Sequence, residues 1–311
     1  MDLICRTESI PQPGQTVVGQ DLLEVPGGKG ANQAAAVGRL WDRHPRTGRS
    51  PACRIIGRVG NDSFGKRISE TLASMHVDIT NILATRDAPS GIAMITVDRH
   101  GENAIVVAAG ANSKLSVTDL LARRAAIEQS VVLAVQLEIP FETVACAIAL
   151  AKQAGVFTVL DPSPVPAEGL PESLFHVDLL CPNQGEAHLL TGIIVRTMDD
   201  ARRAGERLLT RGAQTVVVKM GAGGAVIISR AANGVISHQH INGFKVKVVD
   251  TTGAGDCFIG ALTVALAEGR PLPEAVRFAN AAAAVVCTKL GAQTAIPTRA
   301  EVDAFLAPKP Q

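Results

Sequence analysis

From about residue 130 the chain alternates short β-branched runs with longer helical stretches, and this rhythm constrains the fold more than any other feature. "VVLAV" (131–135), "VFTVLDPSP" (156–164), "VDLLCPN" (177–183), "TVVVKMG" (215–221) and "AVIIS" (225–229) read as strands, with helices predicted over about 141–153 and 199–210. Near-continuous apolar strands must be buried on both faces, which a parallel sheet covered by helices provides. Ligands in such sheets gather beyond the C-terminal strand ends. Here those ends carry Glu138, Asp161, Asn183 and Gly221, so the site is expected there.

The 311 residues, 47% of them hydrophobic, suffice for one large α/β domain or two ordinary ones. Residues 1–25 and 90–112 read differently, as short strands separated by glycine and proline, and predict a small β layer distinct from the main body. The basic, turn-rich "WDRHPRTGRSPAC" (41–53) reads as a solvated surface loop.

Thirty basic and twenty-nine acidic residues leave a formal charge of +1, and aromatics are only 3% with no tyrosine. Neither a phosphate-tracking patch nor a base-stacking platform is indicated, so nucleic acid is not an expected partner. Six scattered cysteines show no C-x-x-C pair, which fits reduced thiols and a cytosolic setting. The most apolar stretch, "VVLAVQLEIP", is too short to cross a bilayer.

The strongest chemical signal is "VVDTTGAGDCFIGALTVAL" (248–266): a predicted strand ending at Asp250, a turn with Gly253 and Gly255, then a helix with apolar Phe258, Ile259, Leu262 and Leu266. Such a turn aims free N–H groups outward at a helix N-terminus, where roughly half a positive charge collects, and so forms an anion hole. Asp256 in the first turn reads either as a carboxylate complementing the helix dipole or as a base accepting a hydroxyl proton while the oxygen attacks phosphorus. A dinucleotide fold fits less well, because the third glycine of G-x-G-x-x-G is missing.

Other glycine-rich or acidic stretches have plain alternatives. "GNDSFGKR" (60–67) has P-loop spacing but puts Arg67 where a hydroxyl should hold Mg²⁺, and reads as a structural turn. In "NQGE", Asn183 and Glu186 form a capping-box pattern; near a phosphate site the same pair orients Mg²⁺–nucleotide through water. "KMGAGG" (219–224) is either a hairpin turn or a backbone cradle for nucleotide phosphates. "VPGGKGANQAAAVGRL" (25–40), read alone, looks like another phosphate loop with Lys29 as its ligand.

With "GGKGANQAAAVGRL" near one end, "DTTGAGDCFIGAL" near the other, and "AGAN" (109–112), "QLE" (136–138) and "NQGE" between, the chain resembles the ribokinase/PfkB family of carbohydrate kinases over nearly its whole length. The resemblance implies one ribokinase-like α/β domain over 1–311. Its central, mostly parallel sheet is flanked by helices, and a small β-sheet lid, strands about 3–25 and 90–112, is inserted in it. It implies ATP-Mg²⁺-dependent phosphorylation of D-ribose at the 5-hydroxyl, stimulation by K⁺, and a homodimer formed through the lid.

Carried over by residue, the resemblance makes Asp256 the base and the turn of Gly253, Ala254 and Gly255 the anion hole. Asp2, Gly28, Lys29, Gly30, Asn32 and Glu138 match sugar-binding positions. Asn183, Lys219, Gly221, Gly224, Gly255 and Asn280 match nucleotide positions, and Glu186 the acidic residue linked to Mg²⁺ and phosphate. Asp250, with carbonyls of Thr252, Val286, Lys289 and Gly291, matches the monovalent-cation site.

Three departures carry expectations of their own. The family begins with a strand and a G-S-x-N stretch before the Met-Asp that opens this sequence, so the first core strand is expected to be missing, through a start lying upstream or a genuine loss. Lys219 replaces a small hydroxyl residue, and Ala295 replaces a serine that helps the cation. Besides ribose, the family reading leaves open deoxyribose or a nucleoside as acceptor, and a sugar- or nucleotide-binding protein impaired in turnover by the missing strand.

Overall fold

The computed structural model describes residues 1–41, 53–231 and 233–307, so the expected surface loop lies, from residue 42 to 52, outside the described residues. Near the N-terminus, β1 (Asp2–Thr7) and β2 (Gly19–Val25) pair antiparallel ahead of α1 (Lys29–Leu40). Then come β3 (Cys53–Gly60), α2 (Ser63–Ser74), β4 (Val77–Thr85), β5 (Ile92–Val97) and β6 (Asn103–Ala108). The short helices α3 (Val117–Leu121) and α4 (Arg124–Glu128) lead into β7 (Val132–Val135), α5 (Phe141–Gln153), β8 (Phe157–Leu160) and β9 (Leu179–Leu180). The chain continues through α6 (Gln184–Thr191), α7 (Met198–Thr210), β10 (Thr215–Lys219), β11 (Ala225–Arg230) and β12 (Ile236–Ile241). It ends with α8 (Ala254–Ala267), α9 (Leu272–Val286) and α10 (Arg299–Leu306).

The apolar runs of the second half form a six-stranded sheet in the order β12-β11-β10-β9-β8-β7. Strands β7 to β10 are parallel and β11 and β12 antiparallel. Successive residues of each strand feed opposite cores, as a period of two requires. Val159, Leu179, Val217 and Ile227 pack with α1, α8 and α9, whereas Leu160, Leu180, Val216, Val218 and Ile228 pack with α5, α6 and α7. Fully burying each such side chain contributes about 1.5–3 kcal/mol.

Strands β3 and β4 form a separate parallel pair. Ile55 and Val59 of β3 join the same core as Val132 and Ala134 of β7, and Ile56 joins the core of Leu133 and Val135. Both strands thus present matching faces to the same two cores, yet they are not hydrogen-bonded to each other. Among the described residues β3 pairs only with β4 and β7 only with β8, which leaves each with one unpaired edge. The segments 1–25 and 90–112 form one four-stranded sheet, β2-β1-β5-β6.

One expected element is not there. Residues 242–250 form no strand: Val248 and Val249 are exposed, and Val249 and Asp250 donate only to the carbonyl of Cys287 after α9. The β-branched residues have strand propensity, but none of the sheets pairs with them.

Candidate active site

The alanine run after the first glycine-rich turn brings two helices into close contact. Ala34, Ala35 and Ala36 are buried on α1. Opposite them, a Cβ on Gly260 of α8 would lie 2.5 Å from the Ala36 Cβ and 2.8 Å from the Gln33 carbonyl. With backbones this near, the first turn of α1 meets the first turn of α8. Asn32 donates to Asp256 Oδ2 at 2.8 Å, and Gln33 reaches Asp256 Oδ1 at 3.4 Å.

Asp256 is 7% exposed. Burial raises its carboxyl pKa to about 6, against the pull of Lys29, Asn32 and Gln33 and with the charge of Asp161 adding to the rise. A carboxylate in that range is ionised at neutral pH yet basic enough to take up a proton in a transition state.

Gly253, at φ 75°, turns the chain into α8. The sequence reading takes the anion hole from the turn of Gly253, Ala254 and Gly255. The Ala254 N–H donates to the Thr251 carbonyl at 3.2 Å, whereas the amides of Gly253, Gly255 and Asp256 have no acceptor among the described residues. Those three remain for an anion.

Two cavities meet at this point. One, of about 360 Å³, is lined by Asn183, Gln184, Gly185, Lys219, Gly221 and Gly255. The other, of about 200 Å³, is lined by Lys29, Asp161, Ser163, Asn183, Glu186, Lys219, Gly253, Gly255 and Asp256. Both open beyond the C-terminal ends of β8 to β10, where the strand rhythm places a ligand.

The expected sugar residues cluster on the lid side. The Lys29 N–H donates to Glu138 Oε2 at 2.9 Å, so Glu138 caps the start of α1. Gly28 has φ 91°, which a side chain would strain, and a Cβ there would sit 3.8 Å from the same carboxylate. On Gly27 a Cβ would run into the Asp2 carboxylate at 2.2 Å, and on Gly30 it would come 3.2 Å from Gln136 Oε1. Burial raises the pKa of both Asp2 and Glu138.

On the other side, Asn183 and Glu186 form a complete capping box, Asn183 N–H to Glu186 Oε2 at 2.7 Å and Glu186 N–H to Asn183 Oδ1 at 2.8 Å. Glu186 is 8% exposed, and burial raises its pKa while Lys219 opposes the rise. Gly221 and Gly224 shape the β10–β11 turn at φ 56° and 92°. Gly224 and Asn280 are not among the residues lining either cavity. Asn280 instead donates to the carbonyls of Ile241 and Asn242 at 3.3 and 3.2 Å, which fixes the end of β12.

Asp250 joins the loop before α8 to the loop after α9: Oδ1 accepts from the Thr252 amide and hydroxyl, and Oδ2 from the Gly291 amide at 2.9 Å. Burial alone would raise its pKa, but these bonds outweigh it and hold the carboxyl below its ordinary value. The Val286 carbonyl accepts the Lys289 amide at 3.0 Å, and the Lys289 ammonium pairs with Glu301. "GNDSFGKR", read as a structural turn, is a turn into a helix: Asp62 caps α2 and Arg67 pairs with Glu24.

The sequence reading gave no role to Gln33, Ser163 or Gln136. Gln33, 3% exposed, donates to Asp161 Oδ2 at 3.0 Å as well as toward Asp256, and accepts a short bond from Gln136. Gln293 donates to Asn32 Oδ1 at 3.0 Å, which orients the Asn32 amide toward Asp256. The detectable signal was two adjacent amide side chains on a helix otherwise built of alanine and valine.

Comparison with known proteins adds independent findings. Residues 1–299 match the pfkB family carbohydrate kinases. The chain is 41% identical to the ribokinase of Haemophilus influenzae over 296 residues, covering 95% of this chain and 92% of the relative. It is 38% identical to the ribokinase of Mus musculus over 303 residues, covering 97% and 90%. Among solved structures, an Arabidopsis thaliana ribokinase complexed with ribose and ATP superposes with a TM-score of 0.85 at 30% identity, covering 99% of this chain and 96% of that one.

Proposed function

The chain belongs to the pfkB family of carbohydrate kinases, and on that footing we propose that it transfers the γ-phosphoryl group of ATP to the 5-hydroxyl of D-ribose. The observation that carries this is Asp256 itself: a buried carboxylate with its pKa at about 6, beside three open amides, where two cavities meet. Asp256 takes the hydroxyl proton as the sugar oxygen bonds to phosphorus. The bond from phosphorus to the β–γ bridging oxygen breaks, and ADP leaves with those electrons. The amides of Gly253, Gly255 and Asp256 face the charge that develops on the phosphoryl oxygens.

Sugar binding is assigned to Asp2, Gly28, Lys29, Gly30, Asn32 and Glu138. Ribose is uncharged and rich in hydroxyls, so carboxylates and an amide suit it better than a basic surface. A sugar lacking a hydroxyl leaves one of these groups unpaired, which is costly. Nucleotide is assigned to the cavity of Asn183, Lys219, Gly221 and Gly255. Glu186, buried and lining the smaller cavity beside Asp256, suits a water-mediated hold on Mg²⁺. Mg²⁺ supplies neutralisation of phosphate charge.

Asp250 and the carbonyls of Thr252, Val286, Lys289 and Gly291 suit K⁺, being one carboxylate among neutral oxygens on two loops that the Asp250–Gly291 bond ties together. The six cysteines are unpaired, in keeping with a reducing cytosol, and no described helix is long and apolar enough to cross a membrane. A homodimer through the small sheet is supported by its exposed Leu22, Met94, Ile105, Val106 and Val107. An ATP-coupled assay over ribose, deoxyribose, fructose and nucleosides tests the reading. Ribose is expected to give the highest kcat/KM, and no turnover with any of them overturns it.

A further inference from the structure

Lys219 ends β10, yet its ammonium lies inside the site and not in bulk water. Its Nζ is 2.7 Å from Asp161 Oδ1, and the two side chains are only 11% and 3% exposed. Burial pulls its pKa down, but Asp161 and Glu186 outweigh burial, so the ammonium stays charged.

A buried ion pair by itself is weak support for a function. Two further observations set this one apart. Lys219 lines both cavities, together with Gly255 and, in the smaller one, Asp256 and Lys29. An ammonium also has three N–H donors, and Asp161 is its one hydrogen-bond partner among the described residues. Two donors are therefore unspent, on a nearly buried cation at the seam of the cavities.

Asp161 is held in turn. Its Oδ2 accepts from Gln33 at 3.0 Å, and Gln33 also reaches Asp256 at 3.4 Å. One chain of contacts thus runs from Lys219 through Asp161 and Gln33 to the general base. The group that fits two unspent ammonium donors beside open backbone amides is a phosphate oxygen.

We propose that Lys219 is a catalytic residue that donates to the phosphate oxygens of the bound nucleotide where the phosphoryl group is transferred, and that Asp161 is the positioning residue that aims it. This rests on the kinase reading above. Because Asp161 takes one ammonium donor and holds the other two at the seam of the cavities, neutralising Asp161 leaves Lys219 charged but no longer aimed.

The test measures ADP and adenosine binding by calorimetry, and steady-state kinetics, on the full chain and on Lys219→Met and Asp161→Asn. Lys219→Met is expected to weaken ADP at least 10-fold and leave adenosine within about 2-fold. It should lower kcat about 100-fold and leave the KM for ribose within about 3-fold. Asp161→Asn is expected to lower kcat, by less than Lys219→Met does, and to leave adenosine binding within about 2-fold, a split that a purely structural pair would not produce. Should Lys219→Met fail to fold, the double variant Asp161→Asn/Lys219→Met leaves no unpaired buried charge and gives the same comparison.

Equal loss of ADP and adenosine in the folded variant, or unchanged ADP affinity and kcat, overturns the proposal. If wild type phosphorylates no sugar, the kinase reading fails, whereas the contrast between ADP and adenosine still reads the phosphate contact on its own.

Discussion

Asp256 shows what the buried setting does to a single residue. Its ordinary pKa of 3.8 is raised to about 6 by burial, so the ionised base is lost as pH falls through that value. We expect kcat to rise with pH and level off above about 6.5, as read from a pH–rate profile at saturating substrates. The same shift bears on stability. A carboxyl with a raised folded pKa stabilises the fold fully below 3.8, and that contribution is lost as pH rises through about 6. By neutral pH the loss is about 3 kcal/mol. Asp256→Asn removes the charge but turns an amide toward two donors, so a net gain of about 1 kcal/mol at pH 8 is expected, turning into a net loss of about 1.5 kcal/mol by pH 4. Thermal unfolding at the two pH values checks it; a variant less stable than wild type at pH 8 contradicts it. At this scale the sequence was informative where a residue sits in a motif, as with Asp256 and Asn32. It was silent on Gln33, whose role depends on which carboxylates another chain segment brings to it. It was equally silent on the bonds of Asn280, whose amide nitrogen donates to the carbonyls of Ile241 and Asn242.

Elements were legible where periodicity is long and partners are guaranteed by the sheet. The helix predicted over 141–153 has those bounds, and the one predicted over 199–210 begins at Met198, capped by Thr197. Strand β9 is only two residues, Leu179–Leu180, and pairing with β10 resumes beyond it as the isolated bridge between Asn183 and Lys219. The strand expected to end at Asp250 did not form, and Val248 and Val249 are exposed; which segment pairs with a sheet is not encoded in local composition. The small sheet makes a prediction at this scale. Strand β6 is exposed along its length, with Ile105, Val106 and Val107 between 54% and 66% exposed. Val106→Asp is expected to convert a dimer to a monomer by light scattering while the chain stays folded, and a monomeric wild type at micromolar concentration contradicts the dimer.

Across the whole molecule, the helix-covered sheet, the small second sheet and the position of the site all followed from the order of apolar runs. The interruption between β3 and β7 did not, since it depends on what pairs with two strands far apart in sequence. Among the described residues each has one edge without a partner, and Met1, 3% exposed, sits with its amino group on the Gly91 carbonyl at 2.8 Å and in the field of Asp2, Glu138 and Asp62. Glu138 and Asp62 follow β7 and β3, so chain attached ahead of Met1 would enter the slot parallel to both strands. Fusing a short apolar strand-former there is expected to raise the melting temperature by several degrees, and a glycine–serine extension of equal length to leave it unchanged. Equal melting temperatures for the two fusions would show that the slot accepts no strand.

The central claim is that a buried carboxylate beside three open amides activates a ribose hydroxyl toward ATP. Its most direct test follows ribose 5-phosphate formation by phosphorus NMR with ATP, Mg²⁺ and K⁺, for the wild-type chain and for Asp256→Asn. Wild type is expected to form the product, and the folded variant to form it at least 10³-fold more slowly with ribose binding retained. Phosphorylation by the variant at the wild-type rate, or none by the wild type, would contradict the account.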